Sequence, residues 1–374
     1  MSNKNKVALI TGAAGQDGSY LSDYLLSLGY DVVAMVRRST RGDFGDNNRH
    51  LKDHPQYHIE HGDVTDMTSI ISIIRKYKDI GMPIKEFYNL AAQSQVHRSW
   101  EEPQSTWETN ATGVQNCLEA VRLEDPSIRF YQASTSERFG DVLCSVQNEK
   151  TECRPRSPYG AAKVAAEGLV KVYRESYGLF ACYGILMNHE SPRRGEEFVT
   201  RKITKYVARV FAEISKEREK YLCSLSDQVE KDEFTSKPDV EQVALILPNI
   251  EIEPLGLGNL DAKRDWSHAA DMVRGMHMML QLHSPNQKPC DYVLASGKTR
   301  SIREFLDAAF AVIGVTDWSR FVVVDPKFYR PADVNLLCGD ASKAKAELGW
   351  EPEISFDQLV QEMVMTDIKR LMKT

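Results

Sequence analysis

The chain has 374 residues, 42% of them hydrophobic and 27% charged, and carries a formal charge of −6 at pH 7. That length exceeds one small core and suits a large α/β unit with a smaller lobe attached. The acidic balance argues against a general nucleic-acid binder, and no apolar run approaches the ~18 residues of a membrane span.

Met1 to Lys6 lead straight into the apolar run Val7–Ile10 without the h-region and cleavage site of a signal peptide, so a cytoplasmic protein is expected. Seven cysteines with no C-x-x-C pair predict reduced thiols, neither a disulfide framework nor a metal site. In chain order, Val7 to Thr11 predicts the first strand and Asp31 to Val36 the second. Between them Tyr20, Leu21, Tyr24, Leu25 and Leu28 recur at helical spacing, and Gly29 is placed to end that helix. Further strands are predicted over His58 to His61, Glu86 to Leu90, Arg129 to Ala133 and Ala181 to Met187, with a helix from about Tyr159 to Tyr177.

This alternation predicts an α/β fold: a Rossmann-type doubly wound parallel sheet over residues 1–188 that holds the cofactor and the catalytic residues. Residues 189–374 are expected to form mainly a smaller C-terminal α/β substrate lobe, with some segments returning to the sheet. Within it, residues 213–248 contain the charged run Lys216 to Lys220, a stretch poor in apolar residues, and then Val243 to Leu247. They read as a solvated surface excursion, partly disordered, that returns through a short strand.

In an open parallel sheet ligands sit beyond the carboxyl ends of the strands, so Gly12, Asp63, Ala91 and Ser134 are expected on one crevice. Gly12-Ala-Ala-Gly15-Gln-Asp-Gly18 follows the first strand and opens a helix, the context in which backbone N–H groups and a helix N-terminus face a pyrophosphate. An NAD-binding chain places Asp or Glu at the end of strand two; here Arg37-Arg38 stand there, and two guanidinium groups suit the 2′-phosphate of NADP. Asp63, after the third strand, is a candidate acceptor for adenine, although Asp at a strand end is also a common turn residue.

Tyr159 and Lys163 are four apart and share a helix face, where the ammonium favours the phenolate and makes the tyrosine a base for a hydroxyl proton. Of the 15 tyrosines only Tyr159 has a lysine at that spacing. Ser134-Thr135-Ser136-Glu137 precedes them, and Glu137 discriminates between chemistries. A plain sugar dehydrogenase, reductase or epimerase has no evident use for a carboxylate beside the tyrosine and lysine. A dehydratase does: once C4 of a hexose is a ketone, the C5 proton is acidic, and a carboxylate removes it while the C6 hydroxyl leaves as water. Hydride returning to C6 then gives a 4-keto-6-deoxy sugar, with Thr135 hydrogen-bonding the reacting oxygen.

Thr11 to Tyr20, Tyr88 to Ser94, Tyr131 to Glu137, Arg156 to Lys163, Asn188 to Gly195 and Leu257 to Trp266 together closely resemble the GDP-mannose 4,6-dehydratase family, within the extended short-chain dehydrogenase/reductase superfamily. The likeness runs from Val7 to about Val364. It implies conversion of GDP-mannose to GDP-4-dehydro-6-deoxy-mannose, a first step towards GDP-deoxysugars such as GDP-fucose, by a homodimer or homotetramer. It implies Thr135, Glu137, Tyr159 and Lys163 as the catalytic set. For NADP it implies Gly12, Ala13, Ala14, Gly15, Gln16, Asp17, Arg37, Asp63, Val64, Leu90, Ala91, Ala92, Gln93, Ser94, His189 and Arg194, besides Tyr159 and Lys163. For the nucleotide sugar it points to Ser94, Thr135, Glu137, Asn188, Lys202, Arg264, Arg330 and Asp333. The charged excursion after Phe211 departs from the family pattern. A GDP-heptose dehydratase, a nucleotide-sugar reductase or epimerase, and a non-catalytic NADP-sensing protein stand as alternatives.

Overall fold

A computed structural model of the protein describes residues 6–38, 45–141, 144–225, 228–236, 239–281, 288–328 and 336–373. The chain divides into two compact units, one of residues 1–189, 264–299 and 336–353, the other of residues 190–263, 300–335 and 354–374.

The first unit is built on a seven-stranded sheet of β1 (Val7–Thr11), β2 (Asp31–Val36), β3 (Tyr57–His61), β4 (Ile84–Asn89), β5 (Arg129–Ala133), β6 (Ala181–Leu186) and β7 (Tyr292–Leu294), in the order β7-β6-β5-β4-β1-β2-β3. Every pairing is parallel. Strands covered on both faces read as continuous apolar runs, and all residues of β1 and β6 are buried. The order reverses between β1 and β4, which opens a crevice at the carboxyl ends of those two strands. The first connection is α1 (Gln16–Ser27), which ends where Gly29 takes a positive φ of 81°. The others used below are α2 (Met67–Asp79), α3 (Gly113–Glu124) and α4 (Pro158–Ser176). Ser157 caps α4 by accepting from the Gly160 N–H at 3.0 Å, and Pro158, whose missing N–H costs nothing in a first turn, starts it.

The second unit is mainly helical, with one parallel strand pair, Leu255–Leu257 and Val322–Val324. Helix Val199–Ser224 runs against Phe356–Leu371, tied by a buried pair between Arg201 and Asp367 at 3.0 Å, while Thr204 donates to the same carboxylate at 2.8 Å. Phe305 meets Phe356 edge-on at 5.9 Å, and Phe310 stacks on Phe321 at 5.7 Å.

The expected excursion at residues 213–248 requires correction. Its first part continues helix Val199–Ser224, where Lys216 and Lys220 each pair with a glutamate three residues earlier. Two further helices follow, Gln228–Ser236 and Asp239–Ile246. Phe234 is buried and packs on Tyr221 with ring centroids 4.9 Å apart. Val243 to Leu247 is no strand: Val243 and Ile246 are buried while Ala244 and Leu245 are exposed, which is the three-residue period of a helix face. Among the described residues no helix is long and apolar enough to cross a membrane, and none of the seven cysteines is in a disulfide.

Candidate active site

The end of β1 is bound to its neighbours by a buried run of polar side chains. Thr11 Oγ1 donates to Asn89 Oδ1 at 2.5 Å and accepts from the N–H groups of Leu90 and Ala91, each at 3.1 Å. Asn89 Nδ2 donates in turn to Gln132 Oε1 at 2.7 Å, so the carboxyl ends of β1, β4 and β5 are held in one register. The sequence reading did not single out Thr11, Asn89 or Gln132, because an isolated polar residue in an apolar strand does not say which neighbour it meets.

That register brings the segment after β4 hard against Gly12. Gly12 has φ 67°, and a Cβ there would lie 2.9 Å from the backbone of Leu90 and Ala91, so only glycine fits. Gly15, the N-cap of α1, is extended and has no side chain to cap the helix, so α1 opens directly behind the Gly12 turn, the arrangement in which a helix N-terminus faces a pyrophosphate. These features suit a dinucleotide.

Beside them lies a cleft of about 1370 Å³ whose walls include Gly12, Ala13, Ala14, Gly15, Arg37, Arg38, Asp63, Val64, Ala91, Ala92, Gln93 and Ser94. Arg37 and Arg38 are exposed at the end of β2. Asp63 Oδ1 accepts from the Thr65 N–H at 2.9 Å and its hydroxyl at 2.8 Å, the turn role open to it. Val64 is buried, and its carbonyl accepts from Asn116 Nδ2, on α3, at 2.9 Å. Arg98, Glu102, Ser105 and Thr109 also line the cleft, on short helices and the turn between them; Ser105 stands where the resembled family tends to carry a cofactor-contacting tyrosine, a role not assigned to a serine, and the other three carried no sequence signal.

Asp17 and His189 meet within the same unit. His189 Nε2 lies 2.9 Å from Asp17 Oδ2 and its Nδ1 lies 2.8 Å from the Met187 carbonyl, while Gln16 Nε2 donates to the His189 carbonyl at 3.2 Å. Both ring nitrogens are thus held by oxygens, which fixes the ring beside the first turn of α1.

Thr135, Glu137, Tyr159 and Lys163 stand at the end of β5 and on α4, outside the cleft walls. Thr135 accepts from the Glu137 N–H at 3.2 Å and so caps the turn Ser136–Arg138. A Cβ on Gly160 would lie 2.9 Å from the Glu137 carbonyl oxygen, so this turn packs directly on the first turn of α4. Tyr159 is 8% exposed. Lys163 Nζ sits 5.8 Å from the Tyr159 ring centroid and donates to the Ala133 carbonyl at 2.9 Å. Of the four residues expected on one crevice, Gly12, Asp63 and Ala91 share the cleft, whereas Ser134 does not. Its hydroxyl turns instead to Glu167, on α4.

Burial pushes the Lys163 ammonium down to about 8, against the opposing pull of Asp17 and Glu167. Between about 8 and the ordinary 10.5 the unfolded chain therefore binds the proton that the folded one has released, and stability rises with pH across that window. Denaturant midpoints of the ligand-free protein are expected to carry this upward component, and Lys163→Met is expected to remove it.

Asn188 and Arg264 lie in the first unit. The Asn188 carbonyl accepts from the Ser267 N–H at 3.0 Å. Asp265, next to Arg264, is fully buried and accepts from the Ser296 and Gly297 N–H groups at 2.9 Å and from that of Gly339 at 3.1 Å, which anchors the short strand Lys263–Asp265. In the second unit Arg194 pairs with Glu190 at 3.2 Å and lies 3.5 Å over the Phe198 ring. Lys202 Nζ lies 5.2 Å from the Phe328 ring centroid. Arg330 and Asp333 lie outside the described residues.

Comparison with known proteins gives the family and the fold. A family model described as GDP-mannose 4,6 dehydratase matches residues 9–228 and 228–363. The GDP-mannose 4,6-dehydratases of Homo sapiens and Sinorhizobium fredii (strain HH103) are each 42% identical to this chain. The first alignment covers 100% of this chain and 94% of the human protein, the second 99% and 98%. The Drosophila melanogaster protein of that name is 41% identical over 99% of this chain and 88% of its own length. Among solved structures, UDP-glucose 4-epimerase from Thermotoga maritima superposes with a TM-score of 0.76 at 22% identity, covering 98% of this chain and 99% of the other. The dTDP-glucose 4,6-dehydratase of Bacillus anthracis, solved with NAD, gives 0.72 at 21% identity, covering 97% of each chain. At those identities the structural likeness speaks for the fold, and the matches in sequence speak for the family: the chain belongs to the GDP-mannose 4,6-dehydratases.

Proposed function

We propose that the protein converts GDP-α-D-mannose to GDP-4-dehydro-6-deoxy-α-D-mannose and water. The observation that carries the reading is the turn bearing Thr135 and Glu137, packed on the first turn of the helix that bears Tyr159 and Lys163. Tyr159 takes the proton of the C4 hydroxyl, and Thr135 hydrogen-bonds that oxygen. Lys163, steered by its bond to the Ala133 carbonyl, keeps a positive charge beside the tyrosine ring. Glu137 then removes the C5 proton, and the C6 hydroxyl departs with a proton as water. When bound, NADP supplies the hydride acceptor for C4 and the donor for C6, so no external reductant is consumed. Substrate deuterated at C4 tests the scheme. The label is expected at C6 of the product, and its loss to solvent or retention at C4 contradicts internal transfer.

NADP is preferred to NAD on the strength of Arg37 and Arg38, exposed at the cleft wall where a ribose phosphate needs bidentate donors. Replacing them together, Arg37→Asp with Arg38→Ser, is expected to lower the ratio of NADP to NAD affinity by about 100-fold in direct binding measurements. Asn188 and Arg264 are proposed to hold the nucleotide sugar, Arg264 through its phosphates. A cytoplasmic homodimer or homotetramer is the proposed setting, which light scattering on the purified protein checks.

A further inference from the structure

Two side chains outside the proposed catalytic set join its two halves. Glu167 follows Tyr159 and Lys163 along α4 in steps of four, so the three share one helix face. Its carboxylate is buried, and its two oxygens reach opposite ends of one short segment. Oε1 accepts from the hydroxyl of Ser134, the residue before Thr135. Oε2 pairs at 3.1 Å with Arg138 Nη1, on the residue after Glu137. The remaining edge of that guanidinium faces Cys153, with Nε and Nη2 donating to Sγ at 3.2 and 2.8 Å. Both charged side chains are no more than 4% exposed.

A buried ion pair gains little over well-packed apolar residues of the same volume, so fold stability alone gives no reason for a charge pair here. Its placement does. The pair spans both flanks of Thr135-Ser136-Glu137 and ties them to the helix that presents the base.

We propose that Glu167 and Arg138 are positioning residues that clamp Thr135 and Glu137 in register with Tyr159 and Lys163, a role that rests on the dehydratase reading above. Without the clamp the turn loses both side-chain ties to α4, at Ser134 and at Arg138. The carboxylate then misses the C5 proton more often than the tyrosine misses the C4 hydroxyl, because Tyr159 is fixed by α4 itself.

The test is the double variant Arg138→Met with Glu167→Gln. It removes the charge pair and keeps an acceptor for Ser134. Hydrogen exchange reads the clamp without reference to activity: the amides of Ser136 to Arg138 are expected to exchange about ten-fold faster while α4 keeps its protection. With GDP-mannose, kcat is expected to fall by up to about 100-fold with KM within about twofold, since a small misplacement of the carboxylate costs the elimination step. The near-ultraviolet absorbance of reduced nicotinamide is expected to build up in the variant and not in the parent.

Unchanged exchange in the turn of the variant overturns the clamp whatever the parent catalyses, while faster exchange in the variant of a parent that leaves GDP-mannose intact would overturn the reaction and keep the clamp. A variant that matches the parent in kcat, or one that loses kcat without building up reduced cofactor, overturns the positioning role. If the double variant does not fold, Ser134→Ala removes the hydroxyl arm alone and is read the same way: faster turn exchange and a lower kcat support the clamp, and no change in either overturns it.

Discussion

Tyr159→Phe is expected to lower kcat by about 10³-fold, the scale of losing a positioned general base, while NADP affinity stays within about twofold. The substitution deletes one oxygen and keeps the ring, which is almost fully buried, so packing at the start of α4 is retained. Lys163 keeps its bond to the Ala133 carbonyl, made independently of the phenol. Binding is read by titrating the cofactor, turnover by product mass. Turnover within tenfold of the parent contradicts the assignment of the base.

The second large effect separates the two chemical steps. Glu137→Gln is expected to lower water loss by about 10³-fold and to leave oxidation at C4 comparatively intact, because an amide cannot take the C5 proton whereas Tyr159 and Lys163 are untouched. Mixing the variant with GDP-mannose is therefore expected to accumulate the absorbance of reduced nicotinamide without a product lighter by one water. Equal loss of both phases would mean that Glu137 serves the whole turn and has no special part in elimination. The half-buried setting of Glu137 leaves room for the substitution, and the backbone bond from its N–H to Thr135 does not depend on the side chain.

β1, β2 and β6 were legible in the sequence because they are almost wholly buried and read as apolar runs. Val7–Thr11, Asp31–Val36 and Arg129–Ala133 have the predicted bounds, β3 and β6 differ from them by one residue at one end, and β4 starts two residues earlier and ends one earlier. Tyr292–Leu294 was not readable as a strand: three residues carry no period, and only β6 beside it makes them one. The segment after Phe211 was misread for a related reason. Its charged residues suggested solvent, yet charge on the outer face of a helix is equally polar, and the spacing of Val243 and Ile246 already favoured a helix.

The glycine turn, the arginine pair and the Tyr159–Lys163 spacing could be read because each is local. What could not be read is the cross-chain bracing. Ser134 was expected at the ligand crevice and instead meets Glu167, a residue 33 positions away whose only signal was its step of four after Lys163. Arg138, Cys153 and the Thr11–Asn89–Gln132 run depend in the same way on which elements the fold sets side by side.

The central claim is a dehydration that returns its own hydride. The purified protein, loaded with NADP and given GDP-mannose with no added reductant, is expected to yield a nucleotide sugar lighter by one water, with no net change in NADPH. GDP-mannose recovered intact from a cofactor-loaded protein, or product formed only in step with NADPH produced or consumed, would contradict it.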